Sequence, residues 1–342
     1  MIKMQMLINL LFITITVINL EAKGTPCEVD GRDGVCISQE VCRSTGLLDI
    51  NGGAGGQNCS TRQQFLPQRD GCGWSNPEGV GGKLDDDNSV FKFGEFPWLT
   101  AVFRLRPGRN SILRSVYVGS GSLIHPRVVF TAAHVAKGDR LRVRAGEWDT
   151  QTQGEAYPYQ ERDVDAVEIH DHYNSKTLFY DMALLFLASP FDLAPNVGLV
   201  CLPPPRVQAE PATSCITSGW GKGRFAKEGI YKVVPKKLEV SMVDRNTCVE
   251  ELRTTRLRKP FQLHSSFMCA RGGHCDGDGG APLVCPIKLQ QDRYIQHGIV
   301  AWGIGCGDDT IPGVYVDVAT LRDWIDGKVA GRGYEIEVYS KY

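Results

Sequence analysis

The sequence has almost no excess charge. Its 38 Lys and Arg stand against 39 Asp and Glu, for a formal net charge of −1. That balance removes the long-range attraction on which nucleic-acid and anionic-membrane binders draw. No CxxC pair occurs, so a zinc ribbon has no ligand pairs to build on. Beyond the N-terminal stretch no apolar run is long enough to span a bilayer. No unit recurs at a fixed period, which argues against a repeat array. The glycine run NGGAGGQN (residues 51–58) lacks the Gly-Lys-Ser/Thr that completes a phosphate loop, and it reads as a plain loop.

What is present begins at the N-terminus. Lys3 precedes an apolar run, LINLLFITITVINL, followed by EAKG, and this reads as a secretory signal over residues 1–22 with Ala22 as the cleavage position. A secreted chain with 12 cysteines, an even number, is expected to be disulfide-bonded rather than metal-bound. Secretion also makes Asn58, in Asn58-Cys59-Ser60, a candidate N-glycosylation acceptor. Residues 23–72 hold five cysteines in a loop-rich stretch too short to bury much core, so cross-links must supply its stability, roughly 2–4 kcal/mol per bridge. Residues 73–92, with Asp85-Asp86-Asp87, read as a solvated linker.

From Phe93 onward, short β-type runs recur between Gly and Pro: WLTAVFRL, GSLIHPRVVFTAAHV, DMALLFLA, QHGIVAWG and GVYVDV. Strands at this spacing predict an all-β barrel or sandwich. One helix is expected near the end, where Leu321, Trp324, Ile325 and Val329 share a face. The last dozen residues, 331–342, form a tail without a readable signal.

Three segments carry chemistry. TAAHV places His134 after a β run, DMALLFL places Asp181 at the head of another, and GDGGAPL places Gly279 in a glycine turn. Nucleophilic acyl transfer needs a hydroxyl, an imidazole that takes its proton, and a buried carboxylate that fixes the imidazole tautomer. The order His, Asp, nucleophile fits, but glycine stands where the hydroxyl belongs. With GEFPW, TSGWG, AWGIGCG and PGVYVDV in support, residues 93–330 resemble a chymotrypsin-like serine protease domain: an all-β double barrel with a C-terminal helix.

The resemblance implies the bridges Cys72–Cys201, Cys215–Cys285, Cys248–Cys269 and Cys275–Cys306. Cys27, Cys36, Cys42 and Cys59 are left to pair among themselves. The family's bridge beside the histidine is missing at both ends, where Gly119 and Val135 stand. Further departures concern function. Gly279 has no atom with which to attack a carbonyl, and losing the serine of such a triad costs on the order of 10⁶ in rate, about 8 kcal/mol. N–H groups of Gly277 and Gly279 suit a residual oxyanion hole, good for only roughly 10³–10⁴ over water.

Between Gly73 and Trp98 no Arg or Lys precedes Ile or Val, so no new N-terminus arises to pair with Asp278. Either the activation pocket is altered or neighbouring N–H groups satisfy that carboxylate. The specificity pocket, implied at Gly273, Trp302, Gly303 and Gly313, has no carboxylate on its floor at Gly273.

Several motifs have a plain reading beside the sharp one. His134 and Asp181 are expected as a buried bonded pair, retained because removing one strands the other, rather than as a new catalytic dyad. His170-Asp171-His172 fits a surface loop, and Glu147 with nearby acids resembles the family's calcium loop. No metal or cofactor is expected at either. Arg253, Arg256, Arg258 and Lys259 read as a solvated face, with a polyanion or partner patch as the alternative.

The N-terminal module resembles a clip domain in its Cys27, Cys36, Cys42 and Cys59 and in the following CGWSNPEGV, although the family pattern has six cysteines and this module four. Clip-domain serine protease homologues with glycine at the nucleophile are similar throughout. That resemblance implies a secreted, non-catalytic regulator of prophenoloxidase activation and melanisation. Its implied partners are proteases, prophenoloxidase or other homologues, with no nucleic acid or membrane. The missing activation cut leans toward a competitor, as in parasitoid venoms. A positive cofactor, an adhesion or recognition protein, and a weak residual hydrolase are the alternatives.

Overall fold

The structure is a computed structural model that describes residues 25–29, 32–36, 66–67, 69–80, 91–107, 113–138, 140–152, 154–221, 233–272, 279–304 and 310–342. Branched and aromatic residues at period two form its strands. β1 (Thr25–Val29), β2 (Arg32–Cys36) and β3 (Leu66–Pro67) make a small antiparallel sheet in which Cys27 faces Gly34. Cys42, Cys59, Asn58 and residues 1–22 lie outside the described residues.

β4 (Leu99–Pro107), β5 (Leu113–His125), β6 (Val128–Thr131), β7 (Leu141–Ala145), β8 (Gln160–Ile169) and β9 (Ala183–Leu187) close a first barrel in the order β4-β5-β6-β9-β8-β7. β10 (Ser214–Gly219), β11 (Lys236–Val243), β12 (Phe267–Arg271), β13 (Pro282–Pro286), β14 (Tyr294–Trp302) and β15 (Gly313–Asp317) close a second in the order β10-β11-β12-β15-β14-β13. This is the chymotrypsin-like double barrel. Closure pairs every strand on both sides and leaves no open sheet edge in either barrel.

The strand sequences explain their depth. β9, ALLFL, is buried at every residue, while β7, LRVRA, alternates buried and half-buried positions. Trp98, Leu123, Ile124, Phe130, Leu184 and Phe186 fill the first barrel's core. The barrels are joined through buried polar groups as well: the Ser122 hydroxyl donates to Gln296 Oε1 at 2.5 Å. Three disulfides are described, Cys72–Cys201, Cys215–Cys285 and Cys248–Cys269. Cys275 and Cys306 lie outside the described residues.

Helix α1 (Ala133–Ala136) follows β6, α2 (Arg245–Arg253) follows β11, and α3 (Val318–Ala330) ends the second barrel. Asp244 caps α2 by accepting from the N–H groups of Asn246 and Thr247, and Asp317 caps α3 by accepting from Thr320. On α3, Leu321, Ile325 and Val329 are buried as their spacing predicts.

One expectation requires correction, and the tail, which carried no readable signal, also takes a packed place. The first part of the segment expected as a solvated linker is packed: Gly73, Ser75 and Val80 are buried. Gly73 donates to the Leu199 carbonyl at 2.7 Å and accepts from Tyr294 N at 2.8 Å, held there by the neighbouring Cys72–Cys201 bridge. The tail is also structural. A 3₁₀ turn at Ile336–Tyr339 buries Tyr339 completely. Its carbonyl accepts from Leu202 N at 2.9 Å, its hydroxyl donates to Asp326 at 2.9 Å, and the Arg322 guanidinium lies 4.9 Å over its ring. Arg293 then ties both ends together, donating to the carbonyls of Cys72 and Lys341, each at 2.8 Å.

Tyr339→Ala should therefore lower unfolding free energy by about 3–5 kcal/mol, the cost of emptying a buried aromatic site, measurable by denaturant titration. A loss under about 1 kcal/mol would mean that the tail does not pack here.

His297, in β14, is buried with an unpartnered Nδ1, and burial pushes its pKa down to about 4. The imidazole is thus neutral in the fold, and the unfolded chain binds the proton more readily. The stability it contributes is present above about pH 6.5 and is lost as pH falls toward 4. The difference amounts to roughly 3 kcal/mol. Stability of His297→Gln measured across that window should fall less steeply than wild type, and parallel curves would contradict the assignment.

Candidate functional site

Two neighbouring strands place the polar pair. β6 ends at Thr131, which faces Ala183 at the start of β9, so His134 in α1 and Asp181 just before β9 emerge side by side. Asp181 has no exposed surface. One of its oxygens accepts from His134 N at 2.9 Å and the other lies 2.6 Å from His134 Nδ1. This carboxylate fixes both the ring and the backbone of the histidine. Tyr173, near the same charge, has its phenol pushed up to about 12, first by burial and then by Asp181.

Gly279 comes to this pair across the seam between the barrels. Its carbonyl accepts from Ser120 N at 3.0 Å, and Gly280 N donates to the Val300 carbonyl at 3.1 Å. A Cβ built on Gly279 would collide with His134 Nε2 and stand 3.0 Å from Cε1. The imidazole thus occupies the space that a side chain on residue 279 would need. Ring and carboxylate are arranged as a base and its orienting partner, but no hydroxyl faces Nε2 from position 279.

The paired absence at Gly119 and Val135 has a packing counterpart. A Cβ at Gly119 would meet the Val135 methyls at 2.7 and 2.9 Å and the Gly279 carbonyl at 2.6 Å. Val135 is buried and fills the gap against the glycine. The exchange of two residues conserves volume, which cores tolerate far better than a cavity.

Of the residues expected around a specificity pocket, Trp302 ends β14, Gly303 follows it exposed, and Gly313 opens β15 buried. The Trp302 ring meets Phe261 and Phe267 edge-on at 6.2 and 6.1 Å. Gly273, Gly277 and Asp278 lie outside the described residues.

The other motifs take the following places. His170 stacks on Tyr180 at 4.7 Å and lies 5.0 Å from Trp324, while Asp171 accepts from Trp324 Nε1 at 3.0 Å. Burial, followed by the neighbouring His172, holds the His170 pKa below its ordinary value. Glu147 receives Arg144 at 2.5 Å and Trp148 N at 3.0 Å, and burial raises its pKa despite that cation. Among the described residues no group of three or more His, Cys, Asp or Glu is gathered to hold a metal ion. Arg253 pairs with Glu250 and donates to the Phe261 carbonyl, while Arg256, Arg258 and Lys259 are exposed.

One feature beside the pair had no signal in the sequence. Leu178 and Tyr180 both take positive φ, 58° and 55°. They turn Phe179 onto His264, centroids 4.0 Å apart, while Ser266 Oγ accepts from Tyr180 N at 3.1 Å. Side chains rarely adopt this conformation, and here the stack and hydrogen bond hold it next to Asp181. The residues belong to two segments about eighty positions apart, so only the folded chain unites them.

The family model described as Trypsin matches residues 89–325. The chain belongs to the trypsin family, as a clip-domain serine protease homologue. It is 60% identical over 283 residues to phenoloxidase-activating factor 2 of Galleria mellonella, covering 80% of this chain and 93% of that protein. It is 36% identical to inactive CLIP domain-containing serine protease A8 of Anopheles gambiae, over 78% of this chain and 73% of that one. Inactive CLIP domain-containing serine protease A3 of Aedes aegypti is 40% identical, over 76% of this chain and 54% of that protein.

For a trypsin-family chain the obvious repair is Gly279→Ser. It should yield no proteolysis and no adduct with a fluorophosphonate reagent, because the new side chain must displace an imidazole that Asp181 holds through Nδ1 on a backbone it also anchors. Robust cleavage by that single variant would show that the ring yields freely.

Proposed function

We propose that this chain is a secreted, non-catalytic component of the prophenoloxidase-activating cascade. In this reading it holds proteases, prophenoloxidase or other homologues in productive arrangement without cutting them. The observation that carries it is the imidazole standing in the room a nucleophile on Gly279 would need. Asp181 and His134 then serve as a bonded structural pair, and exposed Gly303, one residue beyond the end of the closed ladder of β14, offers free backbone to which an extended segment hydrogen-bonds. A captured segment that meets no nucleophile is retained rather than hydrolysed.

The names of the relatives support the cascade and the loss of catalysis. They also bear on the sign of the effect. The missing activation cut favours a competitor, but the relative at 60% identity is named an activating factor. We therefore read this chain as a promoter, with competition as the second reading. Secretion follows from the N-terminal apolar run and the cysteine count; no helix among the described residues is long and apolar enough to cross a membrane. The clip-like module at residues 23–72 would supply a docking element separate from the barrels.

Adding the purified protein to insect plasma with a microbial elicitor, and following melanisation, tests this reading. Promotion predicts faster or greater phenoloxidase activity, unchanged by prior treatment of the protein with a serine-directed reagent. A decrease would establish the competitor. No change, with sedimentation on microbes, would move the function to adhesion. Peptide turnover lost in His134→Ala would restore a hydrolase.

A further inference from the structure

The chain crosses from the first barrel to the second between Leu187, the end of β9, and Ser214, the start of β10. The later part of this crossing, residues 203–213, holds neither helix nor strand, and Pro204, Pro205, Arg206, Val207 and Gln208 are exposed in a row. Val207 N donates to the Pro204 carbonyl at 3.2 Å, which closes a turn with Pro205 second and Arg206 third. Arg206 takes φ 64°, the left-handed value that a type II turn requires at its third position and that glycine ordinarily supplies. Ala212, at the far end of the loop, takes φ 61°. For residues that carry a Cβ, both conformations are sterically costly.

Few contacts hold this loop. Arg206 N donates to the Ala319 carbonyl at 2.8 Å. The Arg206 guanidinium meets Asp323 at 3.0 Å, but the two side chains are 81% and 62% exposed, so solvent screens the pair. Gln208 donates to Asp317, and Ala212 N donates to the Met242 carbonyl. The N–H groups of Gln208, Ala209 and Glu210 have no hydrogen-bond partner among the described residues. A surface segment with few bonds and two left-handed residues opens locally at low cost.

Within it, the bond after Arg206 joins a largely exposed arginine to a valine that is 53% exposed. Other exposed cations are less available. Lys288 lies in the turn that closes β13 on β14, where Ile287 N bonds to the Arg293 carbonyl and Gln290 N to the Ile287 carbonyl. Arg258 N bonds to the Thr255 carbonyl, and Lys259-Pro260 follows it.

We propose that the Arg206–Val207 bond is a processing site for an arginine-specific protease of the trypsin class, and that the cut chain persists as a two-chain molecule. Water adds across the amide and leaves a carboxylate on Arg206 and an ammonium on Val207. The protease supplies the nucleophile and base for this step. Opening the loop releases both left-handed residues, so relief of strain favours the extended form that a protease takes. The three described disulfides each join cysteines on one side of the cut. The halves are held instead by the seam and the tail: Ser122 bonds to Gln296, Arg293 to the Cys72 carbonyl, and Leu202 N to the Tyr339 carbonyl. The inference needs only this loop and stands whether or not the chain acts in the proposed cascade.

The test treats the full secreted chain with a small amount of trypsin and identifies new N-termini by sequencing. A Val207 N-terminus should form about tenfold or more faster than N-termini after Arg258 or Lys288, because cleavage follows the population of the open loop. Arg206→Gln should abolish that N-terminus while leaving the other cuts and the melting temperature unchanged. Ala212→Gly removes one left-handed side chain without touching the cut bond, and should slow release of Val207 several-fold. In size-exclusion chromatography without reductant, the two fragments should leave the column together. Cuts after Arg258 or Lys288 with no Val207 N-terminus would overturn the proposal. So would equal rates in wild type and Ala212→Gly, or fragments that separate on the column.

Discussion

The carboxylate of Asp181, without any exposed surface, sits at the head of β9 and takes its two hydrogen bonds from one residue, His134. A buried anion is tolerable only if it is bonded, and its partners cannot leave without stranding it. The strand β9, the end of β6 and the short helix α1 are therefore fixed together by one interaction. In an active relative that interaction also orients a base. Whatever its chemistry, the pair has a structural role, because the cost of losing it falls on folding.

With the ring held from behind, its front face turns toward Gly279, and Nε2 extends into the space that a Cβ there would take. Gly119 and Val135 show the same logic one layer deeper. A cross-link is exchanged for a glycine and a branched side chain that fills its space, and the backbone at Gly279 approaches Gly119 closely enough to forbid a Cβ there. Packing thus ties Gly119, Val135 and Gly279 to one another, since each lies within contact distance of the next. Reversal at one position meets a neighbour that has already adjusted.

What the sequence made legible follows from how local the signals are. TAAHV, DMALLFL and GDGGAPL each carry their own strand or turn, so the places of His134, Asp181 and Gly279 could be read one at a time. The helix at Val318–Ala330 was visible in its spacing for the same reason. The packing of residues 73–80 and of the tail was not, because their partners are remote: Cys72 meets Cys201 at a separation of 129, and Arg293 reaches back to Cys72 and forward to Lys341. Short polar segments look solvated until a distant guanidinium or disulfide claims their carbonyls. The aromatic wall at Phe179 and His264 escaped notice likewise, since neither segment alone suggests the stack or the left-handed backbone that makes it.

A closed barrel holds its shape independently of the chemistry at its site. All twelve barrel strands are paired on both sides, so neither barrel offers an open edge and stability does not rest on the connecting loops. Catalysis demands sub-ångström placement of an oxygen atom, whereas capture of a partner demands only surface of suitable shape and sign.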